Sequence, residues 1–336
     1  MPELAERPVL VAPDSFKGTF RAAEVAGAIG RGLERAGLMP PDLCPLADGG
    51  EGTMEALLLA LGGETAAADV HDPLGRPLRA AFGLVEDGGT AVLDMAAASG
   101  LALVAEDERD PWAASTYGTG ELICAAVDAG AQVVLLGVGG SATTDGGAGA
   151  LEAIEEHGGI GGARLVVLTD VRTPFERAPS VFGPQKGADA AMVARLERRL
   201  DELAGRLPRD PRGVPMTGAA GGLGGGLWAA HGAALEPGAQ FVLDALGFDA
   251  RMRAARAVVT GEGKLDEQTL EGKLVGEIGT RTRQAGVPLH AIVGTDRLDA
   301  FGKRIIDLQL VQEATDLEEL EAAGETLGRG LADGRW

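Results

Sequence analysis

The segment Gly137–Gly149, reading GVGGSATTDGGAG, constrains this chain more than any other stretch. It follows the apolar run Gln132-Val133-Val134-Leu135-Leu136 and leads into the helix-forming stretch Ala148–Glu155. An apolar β-branched run, then glycines with Ser141, Thr143, Thr144 and Asp145, then a helix start is the grammar of strand, loop and helix. Glycines let backbone N–H groups approach an anion, and a helix N-terminus adds partial positive charge. A single loop of this kind is equally an ordinary strand-to-helix turn. Repetition gives it weight, because other loops of the chain share the pattern.

Val9–Pro13 reads as a first strand and Asp14-Ser15-Phe16-Lys17-Gly18-Thr19 as its loop. Ala22, Val25, Ile29 and Leu33 then recur at helical spacing before Gly37. Leu43–Leu46, the loop Asp48–Thr53 and an apolar helix Met54–Leu61 repeat the pattern, which predicts parallel βαβ units. From Asp69 the texture changes: His71–Arg76 is turn-rich, and Leu78–Val85 with Thr90–Met95 predict a hairpin. Later strands are expected at Arg164–Leu168, Ala255–Val259, Leu289–Val293 and Ile305–Val311, and a last helix at Leu317–Leu331. Gly218–Gly226 is either a second anion loop or a closely packed helix, and Leu223, Leu227 and Trp228 on one helical face favour the helix. Both ends keep the βα rhythm and the middle does not. The expected organisation is a discontinuous α/β domain from residues 1–68 and 250–336, with residues 69–249 inserted as an α/β domain with a mixed sheet.

Charge narrows the partners. The 336 residues carry a formal net charge of −20, which argues against nucleic acid or an anionic membrane as a partner. A small anion is still admissible where a few cations line a cleft. The chain has five lysines, and Lys17, Lys186, Lys264 and Lys273 all sit in Gly- or Asp-rich loops, whereas Lys303 lies in a plain helical stretch. Cys44 and Cys124 lack metal-ligand spacing and read as buried free thiols of a reducing compartment. None of the four histidines is assigned to a metal. The start of the chain shows no signal-peptide pattern, and the expected location is cytoplasmic.

Eight segments together resemble the type-1 glycerate kinase family, in that family's order from Val9 to about Thr295. They are DSFKG (14–18), LADGGEGT (46–53), DMAAASGL (94–101), TYGTGEL (116–122), GVGGSATTDGGAGAL (137–151), FGPQKGA (182–188), GAAGGLGGG (218–226) and TGEGKLDEQT (260–269). The resemblance implies a Rossmann- or flavodoxin-like domain built from both chain ends, an inserted α/β domain, and a site in the cleft between them. It also implies phosphorylation of glycerate by ATP with Mg2+, giving 2- or 3-phosphoglycerate, by a monomer or homodimer. The chain departs from the family pattern in a short segment at His157–Gly162, in Thr144 where Asn is usual, in Arg172-Thr173-Pro174 where Thr-Asn-Pro is usual, and in an abbreviated end. A nicotinamide-dependent oxidoreductase of a small hydroxy acid is the competing enzyme class, but no loop has the G-x-G-x-x-G spacing. A non-catalytic sensor of glycerate or nucleotide is the other alternative, and the Asp and Lys residues kept in the matching loops argue against it.

Phosphoryl transfer sets the expected roles. It needs an aligned hydroxyl, neutralised phosphate charge and excluded water. With no Walker-type loop present, strand-end loops must hold the phosphates. Asp145 is the first choice for general base, with helix capping as its competing role, and Asp48 is the second. Lys17 and Lys186 are the cations for carboxylate and phosphate. Asp14, Ser15, Ser99, Thr116, Ser141 and Thr143 are expected at the glycerate. Gly49, Gly50, Gly139, Gly140, Gln185, Gly187, Gly261 and Gly263 are expected at the nucleotide. Asp170, Glu262 and Asp266, each after an expected strand, are the Mg2+ candidates, with capping and turn formation as the competing explanation.

Overall fold

The computed structural model describes residues 7–271 and 273–335. The chain begins with β1 (Val9–Pro13), α1 (Ala22–Arg35), β2 (Asp42–Leu43), α2 (Thr53–Leu61), β3 (Glu64–His71), β4 (Pro77–Val85), β5 (Thr90–Asp94) and a short α3 (Ala96–Ser99). It continues through α4 (Tyr117–Asp128), β6 (Val133–Gly137), α5 (Ala148–His157), β7 (Arg164–Leu168), α6 (Ala178–Phe182), α7 (Ala190–Ala204), α8 (Leu223–His231) and β8 (Ala234–Glu236). The last part runs α9 (Gly238–Ala245), α10 (Phe248–Ala254), β9 (Ala257–Gly261), β10 (Lys264–Leu265), α11 (Leu274–Ala285), β11 (Leu289–Val293), β12 (Thr295–Asp296), α12 (Ala300–Ile305), β13 (Leu308–Glu313) and α13 (Leu317–Ala332).

The chain divides into two compact α/β units. Unit 1 comprises residues 1–48 and 239–336, and unit 2 comprises residues 49–238. The division falls at 48/49 and 238/239, whereas the sequence suggested 68/69 and 249/250. Packing explains the first shift. β3 pairs along its whole length with β4, and α2 packs on β4 and β5, so both belong with the middle of the chain.

Unit 1 is a parallel sheet of order β13-β11-β9-β1-β2. Its inner strands β1, β9 and β11 are buried throughout, as strands covered on both faces require, whereas the edge strands β2 and β13 are partly exposed. Val25, Ile29 and Leu33 recur on one side of α1 and pack with Leu320, Leu327 and Leu331 of α13 over Val9, Val11 and Val259. Full burial of each such side chain stabilises by roughly 1.5–3 kcal/mol. On the other side, Leu265, Val275, Ala291, Val293 and Leu298 form a second core.

Unit 2 is a mixed sheet of order β3-β4-β5-β6-β7-β8, antiparallel over β3–β4–β5 and parallel over β5–β6–β7–β8. The expected hairpin is present as β4 and β5. Sequence reading missed β3, because Glu64–Ala68 is a mostly exposed, alanine-rich run without strong β-formers. The second strand is only Asp42–Leu43, shorter than expected and placed earlier. Gly218–Gly226 ends in the expected packed helix: Leu223 and Leu227 are fully buried, and a Cβ on Gly226 would lie 2.3 Å from the Gly146 carbonyl. Gly218–Gly222 precede it as a tight turn with left-handed residues. Cys44 and Cys124 are buried free thiols. Among the described residues no helix is long and apolar enough to cross a membrane.

Candidate active site

In unit 1 the strand order reverses between β1 and β9, because the chain leaves β1 for β2 on one side and reaches β9 on the other. Loops that diverge at such a point open a crevice at the carboxyl ends of the strands. Here the crevice is a cavity of about 480 Å3, lined by Asp14, Ser15, Lys17, Asp48, Glu262 and Lys273 among others. Asp14 follows β1, and its backbone N–H is tied to the Gly261 carbonyl at the end of β9. Asp48 lies in the loop after β2, where Lys17 Nζ is 3.2 Å from its Oδ2. Gly261 lies within the sheet, where a Cβ would stand 2.3 Å from the Ile292 carbonyl.

This crevice concentrates negative charge. Asp14 is buried, and its carboxylate accepts from the Ser15 N–H at 2.7 Å. Burial first, then the charges of Asp48 and Glu262, holds its pKa well above the ordinary range, against the pull of Lys17. Glu262 is pushed up to about 7 by burial, opposed by a hydrogen bond from Thr269 Oγ1 and by Lys273. Lys17 is shifted upward, mainly by Asp48. Asp266 is already paired with Lys264 at 2.8 Å and accepts from the Gln268 N–H, which lowers its pKa.

The donor set therefore fits a cation selectively. Asp14 and Glu262 are carboxylates whose charged form burial disfavours, whereas Asp266 is more open and has its own lysine. Among the described residues no group of three or more His, Cys, Asp or Glu side chains could hold a metal by itself. Mg2+ commonly takes one or two carboxylates and fills its shell with phosphate oxygens and water, which this pair can serve. Asp170, the third expected ligand, follows β7 and belongs to unit 2.

Unit 2 brings a second set of expected residues together at the carboxyl ends of β5, β6 and β7. The loop after β6 is laid against the loop before α2: the Val138 N–H donates to the Gly49 carbonyl, and a Cβ on Gly139 would lie 2.5 Å from the Gly50 Cα. Gly139 is required for that approach. Lys186 is buried, and its ammonium donates to Ser141 Oγ at 2.8 Å and to the Thr143 carbonyl at 2.5 Å. Burial pulls its pKa down to about 7, against the attraction of Asp145. Thr143 Oγ1 and Thr144 Oγ1 are buried with no hydrogen-bond partner among the described residues. Gln185 and Gly187, on either side of Lys186, are exposed. Gly140 is half-way through the same loop and donates nothing itself, but its carbonyl accepts from the Leu101 N–H.

Three expected residues point inward. Asp145 accepts four hydrogen bonds, from the Thr116 N–H and hydroxyl at 2.9 and 2.8 Å, and from the Gly147 and Gly149 N–H groups at 3.1 and 3.2 Å. Thr116 Oγ1 in turn accepts from the Ala150 N–H, and the fully buried Ser99 hydroxyl bonds Thr119 Oγ1 at 2.7 Å. Asp145 thus ties the start of α4 to the start of α5. These four contacts are the capping role that the sequence set beside that of general base, three of them on Oδ2 and one on Oδ1.

Two residues carry signals that sequence reading passed over. Asp94, at the end of β5, accepts from the Gly52 and Met54 N–H groups and serves α2 as a cap supplied from a distant strand. Arg109, half-buried beside Gly187, has a buried Nε with no hydrogen-bond partner. Asp94 opens the segment 94–101 without a role that its position in sequence would assign, and Arg109 lies outside all eight segments.

Comparison with known proteins accounts for this arrangement. The model of the glycerate kinase family matches residues 9–158 and 155–329, and the two segments meet where the chain is short after α5. A glycerate kinase of Bacillus subtilis (strain 168) is 40% identical, with 97% of this chain and 96% of that protein aligned. Glycerate 2-kinase of Escherichia coli (strain K12) is 37% identical over 85% of each chain. A crystal structure from Salmonella typhimurium LT2, ascribed to glycerate kinase 2, superposes with a TM-score of 0.79 at 34% identity and covers 98% of this chain and 99% of its own. A family model spanning nearly the whole chain, with relatives of this identity and coverage, settles the affiliation: the chain belongs to the glycerate kinase family.

Proposed function

We propose that this protein is an ATP-dependent glycerate kinase that moves the γ-phosphate of ATP to a hydroxyl of glycerate. The observation that carries the reading is the carboxylate-rich crevice at the β1/β9 switch point, where Asp14, Asp48 and Glu262 line one cavity with Lys17 and Lys273. Such a crevice repels a bare polyphosphate and accepts one accompanied by a divalent cation. Asp14 and Glu262 would hold Mg2+, which when bound neutralises charge on the transferring phosphate.

The chain's own residues supply the rest. Asp48, which lines the crevice and holds Lys17, is assigned as the base that receives the glycerate hydroxyl proton. Lys17, held by Asp48, offers an ammonium to phosphate oxygens. Ser141, Thr143 and Lys186 are assigned to the acceptor. Lys186 sits close to half-protonated at neutral pH, so an arriving anion would draw the proton onto it. Gly139 and Gly140 leave the loop backbone bare, and Gly263 does the same after β9. Asp145, Thr116 and Ser99 are assigned to anchoring that loop.

The decisive experiment is a coupled ADP-release assay over a panel of small hydroxy acids with and without Mg2+, with the product's phosphate position read by NMR. Glycerate-dependent ADP release that needs the divalent ion is expected. ATP turnover indifferent to glycerate would remove the reading. Asp48→Asn should lower kcat by about 100-fold or more at a nearly unchanged melting temperature. Asp145→Asn should do the reverse, losing stability while activity per folded molecule largely survives.

A further inference from the structure

We propose that Arg109 is an oxyanion-binding residue of the site in unit 2, gripping a carboxylate or phosphate of the reactants. The inference rests on the kinase reading and adds to it a residue that no motif of the sequence pointed to. Three observations carry it.

The first is the state of the side chain. Arg109 is half-buried, its Nε is shut off from solvent, and its guanidinium makes no hydrogen bond or ion pair among the described residues. A guanidinium carries five N–H donors and is always charged. Burying one of those donors unpaired costs free energy that the fold does not recover locally. Arg76, whose guanidinium reaches Glu108 next to Arg109 in sequence, is paired with both Asp72 and Glu108.

The second is location. A Cβ built on Gly187 would lie 3.4 Å from Arg109 Cβ and 3.5 Å from the Arg109 carbonyl. Gly187 directly follows Lys186, whose ammonium is bonded to Ser141 and to the Thr143 carbonyl. The same neighbourhood holds the unpartnered Thr143 and Thr144 hydroxyls. Lys186, pulled down to about 7, is an adjustable cation, whereas Arg109, on the segment packed against Gly187, carries a permanent charge.

The third is preorganisation. The turn that carries Arg109 is fastened: Asp110 accepts from the Trp112 and Ala113 N–H groups, and Arg199 donates to the Trp112 carbonyl at 2.8 Å. The guanidinium groups of Arg195 and Arg199 lie over the Trp112 ring at 4.4 and 5.1 Å from its centroid. A fork held on a fixed backbone loses little freedom when it meets a planar anion.

The test uses the full chain and measures KM separately for glycerate and for ATP in Arg109→Ala, Arg109→Gln and Arg109→Lys. Expected is a rise in KM of about 10- to 100-fold for one of the two reactants with less than about threefold change for the other. A selective rise for glycerate identifies its carboxylate, and for ATP a phosphate. Lysine should restore only part of the loss, because it lacks the fork. Millimolar guanidinium ion should partly rescue Arg109→Ala. For a carboxylate role, kcat/KM for glycerol should not change in the variant. Unchanged KM values, or equal losses for both reactants that track a fall in melting temperature, would overturn the proposal. If Arg109→Ala does not fold, the near-isosteric Arg109→Gln carries the same measurement. A wild type that releases no ADP with glycerate would sink the kinase reading, whereas an active wild type with indifferent Arg109 variants would sink only this inference.

Discussion

At the scale of single residues, the crevice of unit 1 shows function set against stability. Glu262 stays near the cavity although burial raises its pKa to about 7. Such a raised group stabilises the fold fully below its ordinary pKa near 4.5, and that contribution is lost as pH rises through about 7. Above pH 7 the ionised Glu262 is a liability that glutamine would remove while still accepting from Thr269. Glu262→Gln should therefore leave stability near wild type at pH 4.5 and add about 1–2 kcal/mol at pH 8. Denaturant unfolding at both pH values checks this. A difference independent of pH would mean that the carboxylate is not desolvated as described. Under the proposed function the same substitution lowers activity, the usual trade at a binding site. Lys186 has the opposite sign: its lowered pKa means that stability from this group grows as pH rises from about 7 towards 10.5.

At the scale of elements, two helices of unit 2, α2 and α5, begin on glycine and borrow their caps. α2 starts after Gly52 and α5 after Gly147, both left-handed and without side-chain caps of their own. Asp94 from β5 serves the first and Asp145 the second. This leaves the loops before the helices free of side chains where backbones approach one another. The Asp94 carboxylate is so well buried that its pKa rises to about 7, despite the N–H donors that lower it. Asp94→Ala removes the cap and leaves two N–H groups of α2 without their acceptor. A loss of about 1–2 kcal/mol is expected, with Asp94→Asn losing less. Thermal unfolding of the three proteins measures it, and an Asp94→Ala protein as stable as wild type would show that water serves the helix equally well. Of these caps, only Asp145 was legible beforehand, since it stands next to its helix in sequence. Asp94 stands about forty residues from α2, and only strand pairing brings it there.

At the scale of the whole molecule, the two units differ in how the chain builds them. Unit 2 is one continuous stretch with its own core, running from Val70 and Phe82 through Leu93, Leu136 and Val167 to Leu227. Unit 1 is closed by both ends of the chain, with β1 between β2 and β9 and α1 packed on α13. Residues 49–238 expressed alone should therefore fold cooperatively, with near-ultraviolet dichroism and a single sigmoidal unfolding transition. A fragment lacking those signatures would show that its core depends on unit 1. The discontinuity itself was readable from the return of the βα rhythm near the C-terminal end. Its borders were not, because a border is decided by what β3 and α2 pack against.

The residues alone determined most of the element types, the parallel character of unit 1, the hairpin of unit 2 and the loops in which the chemistry is gathered. These follow from apolar periodicity, glycine placement and short-range spacing, all of which are local. Only the tertiary structure decided which polar groups in those loops are spent on the fold and which are left over. Gly137–Gly149 reads as one loop of equivalent candidates, yet Asp145 is consumed by four donors while Lys186, from another segment, engages Ser141 and Thr143. A hydrogen-bonding group can be counted as available only when every neighbour in space is known, and most of those neighbours are distant in sequence.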